Sequence, residues 1–229
     1  MKQRFRNSSI LISVMAALAP SALATSLSYA GNLRADATFI DCGAGCTLGP
    51  GNSDAEFAQF AALVRSFNVP IASVMQAVSF SYGGGVNGAG TTILEGGLEP
   101  YLSLFDASGN FLASTYSGIT CPPGARTNSV SGQCYDVLLD GGMLPAGNYQ
   151  ITLSAYFNLS LAENLGAGTL ADGFTGLGNL AVGEDLHYAF DVILSPASSA
   201  VPEPASGALL AGGALILYLF RKRKVQGQK

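Results

Sequence analysis

The middle of the chain alternates hydrophobic segments with clusters of Gly, Pro, Asn, Asp and Ser. Between residues 74 and 194 the hydrophobic segments are five to ten residues long, and turn-forming residues separate them. Short segments separated in this way predict β-strands rather than helices. The predicted strands cover residues 74–82, 101–105, 111–115, 135–139, 148–157 and 187–194. The fold class predicted for this region is all-β, as an antiparallel β-sandwich.

Two of these predicted features are the most sharply defined. Residues 101–105 and 111–115 flank the turn-forming sequence Asp-Ala-Ser-Gly-Asn at 106–110, which predicts a β-hairpin. Residues 148–157 alternate cleanly, so that every second side chain points to the same side of the strand. One face of this strand carries Tyr149, Ile151, Leu153 and Ala155.

The segment before residue 70 is ambiguous. Its hydrophobic residues have a helix-like spacing, at Phe57, Phe60, Ala61, Val64 and Phe67. The same stretch could form a strand over residues 56–63, because Pro70 ends it soon and Val69 is β-branched. The hydrophobic pattern leaves both interpretations open.

The N-terminal residues predict an export signal. Basic residues within positions 2–6 precede an apolar run at 10–19, a helix-breaking proline and a small-x-small sequence at 22–24. This order is typical of a cleaved signal peptide. A retained anchor is the alternative, but an apolar run of this length is too short for a bilayer of about 30 Å. We expect residues 1–24 to be the signal peptide, with cleavage after Ala30 as a second option.

The C-terminal residues combine three features in a fixed order. Pro202, Glu203 and Pro204 precede an uncharged apolar run over residues 205–220, which four basic residues follow: Arg221, Lys222, Arg223 and Lys224. As a helix, the run is about 24 Å long, and snorkelling of the basic side chains can make up the missing length. The basic cluster fixes that end in the cytoplasm. An ordinary single-pass anchor with a proline-rich linker would share these features.

In order and spacing, these C-terminal features closely resemble the PEP-CTERM sorting signal of Gram-negative bacteria. The resemblance implies that an exosortase, an integral-membrane enzyme, recognises Pro202, Glu203 and Pro204 as substrate residues. It also implies a host that makes exopolysaccharide, and a product at the cell surface or in the extracellular matrix after transient anchoring in the inner membrane. Export would use the Sec machinery and a signal peptidase. We assign residues 201–229 to the signal, with its motif at 202–204, transmembrane helix at 205–220 and basic tail at 221–229.

The remaining residues, 25–200, are assigned to one ectodomain, which carries a second resemblance. Four stretches look like the DVUA0089-type PEP-CTERM proteins, and they cover residues 82–90, 97–106, 144–149 and 172–175. The resemblance extends over about residues 54–194. It implies a jelly-roll-like sandwich, similar to bacterial pre-peptidase C-terminal domains.

The charge distribution argues against one class of partner. Eight of the eleven basic residues lie in the terminal segments, which leaves Arg34, Arg65 and Arg126 against fourteen carboxylates between Asp36 and Asp191. The ectodomain therefore has a net charge near −11. Such a surface repels phosphate backbones and anionic lipid, so nucleic-acid binding is not expected. Cations, neutral glycans and other proteins remain open as partners.

Four cysteines in an exported domain predict two disulfides. Cys121 and Cys134 flank a loop of twelve residues, and closing such a loop stabilises a fold by about 3 kcal/mol. Cys42 and Cys46 would then pair locally across a ring with two glycines. Three connectivities exist for four cysteines, and zinc bound by thiolates is the alternative chemistry.

The sequence holds few signals of catalysis. A Ser-His-Asp triad would have to use the one histidine, His187, and neither G-x-S-x-G nor H-E-x-x-H occurs. Carboxylate pairs that could serve glycoside hydrolysis are Glu95/Glu99, Asp136/Asp140 and Glu184/Asp185. No cofactor is expected. Weak calcium candidates are Asp106, Ser108 and Asn110. Their alternate spacing resembles that of a calcium-binding loop, but a hairpin turn explains the same spacing more simply.

These observations favour a non-enzymatic protein of the cell surface or extracellular matrix, associated with exopolysaccharide or biofilm. A binding module for glycan or calcium is the alternative function. A hydrolase with an unrecognised site is the third.

Overall fold

The computed structural model describes residues 23–40, 42, 46–116, 118, 120–165 and 168–197. Strands dominate these residues, and the helices among them are short. The elements in chain order are β1 (Thr25–Asn32), α1 (Leu33–Asp36), β2 (Phe39–Ile40), α2 (Asp54–Phe60), β3 (Ala61–Val69), β4 (Ser73–Ser79), β5 (Gly85–Val86), β6 (Thr92–Ile93), β7 (Pro100–Asp106), β8 (Phe111–Tyr116), β9 (Leu138–Leu144), β10 (Gly147–Ala155), α3 (Leu161–Leu165), a 3₁₀ turn (Leu170–Asp172) and β11 (His187–Pro196).

Two antiparallel sheets form the domain. Sheet A has the strand order β1-β11-β4-β9, and sheet B has the order β2-β3-β10-β7-β8. A small hairpin, β5 with β6, stands apart from both sheets. No helix within the described residues is long and apolar enough to cross a membrane. The helix predicted at residues 205–220 lies outside these residues.

The hydrophobic core joins the facing sides of sheets A and B. β10 contributes the face predicted from its alternation, Tyr149, Ile151, Leu153 and Ala155, and all four side chains are buried in the core. Alternate residues of β11 meet them from sheet A, including Phe190, Val192 and Leu194. Burying a side chain of this size stabilises the fold by about 1.5–3 kcal/mol. The prediction of an all-β, sandwich-like domain is confirmed.

The ambiguous segment before residue 70 contains a helix and then a strand. α2 begins at a capping box, in which Ser53 N–H donates to Glu56 Oε2 at 2.6 Å and Glu56 N–H donates to Ser53 Oγ at 3.3 Å. The backbone turns extended at Ala61, where β3 begins and pairs with β10. The alternative of a strand over residues 56–63 is therefore wrong for its first half, because the Ser53–Glu56 cap stabilises a helical turn there.

The hairpin and the last predicted strand are confirmed, one predicted strand is displaced along the chain, and one observed strand was missed. The hairpin around residues 106–110 is present as β7 and β8, and the strand at 187–194 is present as β11. The strand predicted at 135–139 lies further along the chain, as β9. Asp136 and Val137 precede it and contact the end of β4 and the turn that follows: Val137 N–H donates to Ser79 Oγ at 2.8 Å, and Gly83 N–H donates to Asp136 Oδ2 at 2.8 Å. β1 was not predicted at all.

Both disulfides have the expected pairing. Cys121 is bonded to Cys134 and Cys42 to Cys46, and the Cα atoms of each pair are 5.4 Å apart. The Cys121–Cys134 bridge closes a loop that contacts the turn after β4, since Arg126 N–H donates to the Gly84 carbonyl at 3.1 Å. This loop therefore covers the side of sheet A that faces away from the core.

Candidate functional site

The described chain enters and leaves the domain at one end of sheet A. β1 begins at Thr25, directly after the predicted cleavage point, and Thr25 is opposite Leu194 in the ladder with β11. β11 ends at Pro196, so the chain leaves the domain beside the point where it enters. The predicted sorting residues lie outside the described residues, as do the predicted membrane-stop residues: Pro202, Glu203 and Pro204, with Arg221, Lys222, Arg223 and Lys224.

Of the two predicted signal-peptide cleavage points, one lies directly before β1 and the other lies within it. Its Tyr29 ring stacks on Phe190 with 5.0 Å between the ring centroids, and Leu27 packs against the core. Cleavage after Ala30 would remove six of the eight residues of this strand and leave one side of β11 without its partner. Cleavage after Ala24 would leave the whole of β1 in place.

The calcium candidates form a hairpin turn. Asp106 Oδ1 accepts the backbone N–H groups of Ser108 and Asn110 at 2.8 and 2.9 Å, and Asp106 Oδ2 accepts the Asn110 side-chain amide at 2.7 Å. The hydrogen bonds from Asn110 hold the pKa of Asp106 below its ordinary value. The carboxylate thus closes the turn between β7 and β8. Within the described part of the chain, no group of three or more His, Cys, Asp and Glu side chains could hold a metal ion.

His187 has its ring nitrogens directed at acceptors. Nδ1 contacts the Asp185 carboxylate, and Nε2 lies 3.2 Å from the Leu94 carbonyl oxygen. No hydrogen bond among the described residues joins this ring to a serine hydroxyl. The arrangement fixes the start of β11 against the loop after β6.

The candidate carboxylate pairs have local partners. Glu95 accepts the Ser129 backbone N–H at 2.7 Å, and the hydrogen bonds from Ser129 lower the pKa of Glu95. Asp140 accepts the Gly142 N–H at 3.0 Å, and Glu184 accepts the Ala181 N–H at 3.1 Å. The Asp140 and Glu184 contacts close turns in the backbone, whereas the Glu95 contact joins the loop after β6 to the disulfide loop.

Asp136 is a fully satisfied buried carboxylate. Its Oδ1 accepts Ser79 Oγ–H at 2.8 Å and Tyr82 N–H at 3.1 Å, and its Oδ2 accepts Gly83 N–H at 2.8 Å. Burial raises the pKa of Asp136 above its ordinary value, while the hydrogen bonds from Gly83, Ser79 and Tyr82 act in the opposite direction. Asp136 therefore organises the turn that leads from β4 to the β5–β6 hairpin.

A cavity of about 530 Å³ lies on the side of sheet A that faces away from the core. Asp191, Val78 and Leu138 line it from three neighbouring strands, and the register places them side by side across the sheet. The β5–β6 hairpin and the disulfide loop cover it, through Gly88 and Pro123. Pockets of a few hundred Å³ are the usual size of small-molecule sites.

Asp191 is the polar residue at the bottom of this cavity. Its side chain is 2 % exposed, and its Oδ2 accepts the Gly88 N–H at 2.6 Å. Its Oδ1 has no hydrogen-bond partner among the described residues, and neither has the buried Oγ of Ser28, directly opposite in the ladder. Both atoms have almost no accessible surface, and an unpaired polar atom is costly to bury. Sequence reasoning missed Asp191, although a lone aspartate inside the apolar strand β11 was the available signal.

The comparisons with known proteins identify the C-terminal segment. Residues 200–224 match the family model of the PEP-CTERM protein-sorting motif. No curated protein and no solved structure matches the chain. The match covers the sorting signal and not the ectodomain, so the resemblance to DVUA0089-type proteins stays a prediction. The motif implies export to the envelope or surface of a Gram-negative bacterium and processing by an exosortase.

Proposed function

We propose that this chain, which carries a PEP-CTERM protein-sorting motif at residues 200–224, is a non-enzymatic surface or matrix protein associated with exopolysaccharide. The signal peptide directs the β-sandwich across the inner membrane through the Sec machinery. The C-terminal helix then anchors it until an exosortase processes the chain near the motif. The sorted product is located at the cell surface or in the extracellular matrix.

The observation that carries this proposal is the position of the motif directly after the domain. Four residues, 198–201, separate the last described residue of the domain from Pro202. An extended chain from Ala197 to Ala205 spans at most about 30 Å. The sandwich would therefore be folded close to the membrane surface, and a short linker would present the motif to a membrane enzyme.

The environment of the candidate catalytic groups supports a role without catalysis. His187 is held by Asp185 and the Leu94 carbonyl, and Glu95, Asp140 and Glu184 each accept a backbone N–H. The strand content supports the finer fold assignment as well, a jelly-roll-like sandwich similar to pre-peptidase C-terminal domains. Calcium binding is the weaker alternative, because the Asp106 carboxylate is already used within its turn.

The sorting signal is tested by replacing Pro202, Glu203 and Pro204 together with alanine. We expect the variant to accumulate uncleaved in the inner membrane, because the residues that the exosortase recognises are gone while the helix and basic tail remain. Cell fractionation and the mass of the retained protein measure this result. N-terminal sequencing of the processed wild type should begin at Thr25.

A matched control replaces Ser198 and Ser199 with alanine, which changes the same linker without touching the motif. We expect this control to be processed as the wild type is. If the triple variant reaches the cell surface in normal amounts, the motif does not direct sorting in this protein and the proposal is wrong.

A further inference from the structure

We propose that an exposed aromatic cluster, formed by Tyr116, Tyr156 and Phe157, binds a neutral β-linked polysaccharide by stacking against the apolar faces of its sugar rings. The inference deepens the proposed function and rests on it for the source of the ligand, since an exported matrix protein meets exopolysaccharide. The cluster itself is a feature of the fold and does not depend on sorting.

The three aromatic rings form one continuous group at the surface. The ring centroid of Tyr156 lies 6.0 Å from that of Tyr116 and 4.1 Å from that of Phe157. The ring planes are inclined by 26° and 36° in these two pairs. Tyr116 and Phe157 are 49 % and 47 % exposed. A contiguous group of exposed aromatic residues, unlike a single exposed hydrophobic residue, marks an interaction site.

The backbone of Phe157 supplies an independent argument. Its φ is +67°, and among the described residues it is the one non-glycine residue with a positive φ. Asn158 holds the turn, since its N–H donates to the Ala155 carbonyl at 3.0 Å and its side-chain amide donates to the Ala61 carbonyl at 3.3 Å. The left-handed conformation is unfavourable for a bulky side chain, and a half-exposed ring gains less from burial than a core ring does. Strained residues of this kind are found at ligand-binding sites.

The cluster lies at the end of the sandwich opposite to the point where the chain leaves. The chain leaves at Pro196, and β10 begins at the same end with Gly147. The nine residues of β10 extend about 30 Å to the opposite end, where Tyr156 and Phe157 follow directly. Tyr116 ends β8 there as well. An anchor that follows Pro196 would therefore place the cluster on the side away from the membrane.

Two properties of the cluster select a sugar as its ligand. The negative faces of aromatic rings attract the C–H groups on the apolar faces of a sugar ring. The phenol hydroxyls of Tyr116 and Tyr156 make no hydrogen bond within the described residues, so they can exchange hydrogen bonds with the hydroxyls of the sugar. In β-linked glucose or xylose chains the ring hydroxyls are equatorial, which leaves both faces of each ring apolar.

Charge narrows the class of partner further. The ectodomain has a net charge near −11, and none of the three residues in the cluster is basic. An anionic polysaccharide, a nucleic acid and a second copy of this chain would each be repelled. A neutral polysaccharide meets no such repulsion.

The experiment measures sugar binding to the full-length protein in phosphatidylcholine nanodiscs. Cellotetraose and xylotetraose are the neutral β-linked probes, maltotetraose is the neutral α-linked probe, and tetragalacturonate is the anionic probe. Ligand-observed NMR should show that at least one β-linked probe binds, with its ring C–H resonances shifted upfield by the aromatic rings. The chain contains no tryptophan, so quenching of its tyrosine fluorescence can be used to measure the affinity. Maltotetraose and tetragalacturonate should bind more weakly.

The decisive variant is Phe157→Asn, because asparagine tolerates a positive φ while the ring is lost. We expect binding to weaken by about tenfold or more, and the midpoint of thermal unfolding to stay the same or to rise. Tyr116→Ala should also weaken binding, whereas Phe157→Tyr keeps a ring and should bind as the wild type does. Ile71→Ala is the matched control, since Ile71 is 48 % exposed and lies at the other end of the sandwich. It should leave binding unchanged.

Each result decides the matter. Failure of both β-linked probes means that the inference is wrong, even if the sorting experiment succeeds, and equal binding of maltotetraose would contradict the choice of β-linked chains. Binding that survives both Phe157→Asn and Tyr116→Ala would place the sugar elsewhere on the protein. Tetragalacturonate binding, or a cross-linked dimer, that Phe157→Asn abolishes would assign the cluster to an anionic polymer or to a second copy. A lower unfolding midpoint of Phe157→Asn would show that the ring is structural.

Discussion

Two buried aspartates on sheet A and its loops have opposite environments. Asp136 is completely buried, and three donors occupy its carboxylate oxygens. Asp191 is almost as deeply buried, and one donor, Gly88 N–H, occupies a single oxygen. Both residues hold a loop against the sheet. They differ in whether the protein itself supplies every hydrogen bond that the carboxylate needs.

This difference distinguishes a carboxylate that is fully hydrogen-bonded from one that leaves an oxygen unpaired. A buried polar group without partners lowers the stability of the fold, so proteins usually satisfy it within the chain or with water. The carboxylate of Asp136 is satisfied within the chain, and it connects the Ser79–Gly83 turn to the start of β9. Asp191 leaves Oδ1 buried without a partner among the described residues, directly opposite the buried Ser28 hydroxyl. The comparison predicts that replacing aspartate with asparagine affects the free energy of unfolding in opposite ways at positions 136 and 191.

The largest effect is expected from Asp136→Ala. The change leaves the Ser79 hydroxyl and the N–H groups of Tyr82 and Gly83 buried without acceptors. Each lost partner costs about 1–3 kcal/mol, so we expect the free energy of unfolding to fall by about 3–5 kcal/mol. Urea unfolding followed by circular dichroism measures it. A loss below about 1 kcal/mol would contradict the structural role of Asp136.

Removing the disulfide of the covering loop is expected to have the next largest effect. Replacing Cys121 and Cys134 with serine opens a loop of twelve residues, which costs about 3 kcal/mol in the chain-entropy model. Replacing Cys42 and Cys46 opens a much shorter ring and should cost about 2 kcal/mol. The first replacement should therefore lower the free energy of unfolding more than the second does, and equal losses would contradict this expectation.

The sequence predicted the β-hairpin, the buried face of β10 and both disulfides, because each depends on residues close together along the chain. The pattern at Tyr149, Ile151, Leu153 and Ala155 needs only local alternation. β1 was missed because Leu27 and Tyr29 are the only large hydrophobic residues in this segment of the predicted ectodomain. Its strand character comes from pairing with β11, which is more than 150 residues away. The Ser53–Glu56 capping box is also a local signal, but the prediction for this segment used only the hydrophobic spacing.

The cavity could not be predicted in the same way. Asp191, Val78 and Leu138 become neighbours only through the order of strands in sheet A, and Gly88 reaches them from a separate hairpin. The candidates that spacing suggested, Asp106 and Asn110, instead close a turn. Short-range spacing identifies turns well, whereas sites formed by several strands require the topology.

The pH dependence of stability is expected to distinguish Asp136 from its amide variant. Burial raises the pKa of Asp136 in the folded protein, so the folded state holds this proton more tightly than the unfolded chain does. This tighter proton binding stabilises the folded state fully at pH values below the unfolded pKa of about 3.9. The stabilisation is lost as the pH rises through the pKa of Asp136 in the folded protein. The stability of the wild type relative to Asp136→Asn should therefore fall between about pH 4 and neutrality. Urea unfolding of both proteins across this range measures the difference, and a rise would mean that the hydrogen bonds outweigh burial.

The smallest effect on stability is expected from Asp191→Asn, and its sign is the strictest test of the comparison. The amide oxygen keeps the Gly88 N–H bond, and the new NH₂ group lies opposite the Ser28 hydroxyl, which is itself buried without a partner. Removing an unpaired buried charge relieves a desolvation penalty. For Asp191→Asn we therefore expect the free energy of unfolding to stay the same or to rise by up to about 1 kcal/mol. Asp136→Asn should lower it by about 1–3 kcal/mol, because the NH₂ group of the asparagine would face a donor that now binds a carboxylate oxygen. Parallel urea unfolding of the two variants gives the contrast directly. If Asp191→Asn destabilises the protein as much as Asp136→Asn does, Asp191 is a structural carboxylate like Asp136, and the comparison between them is wrong.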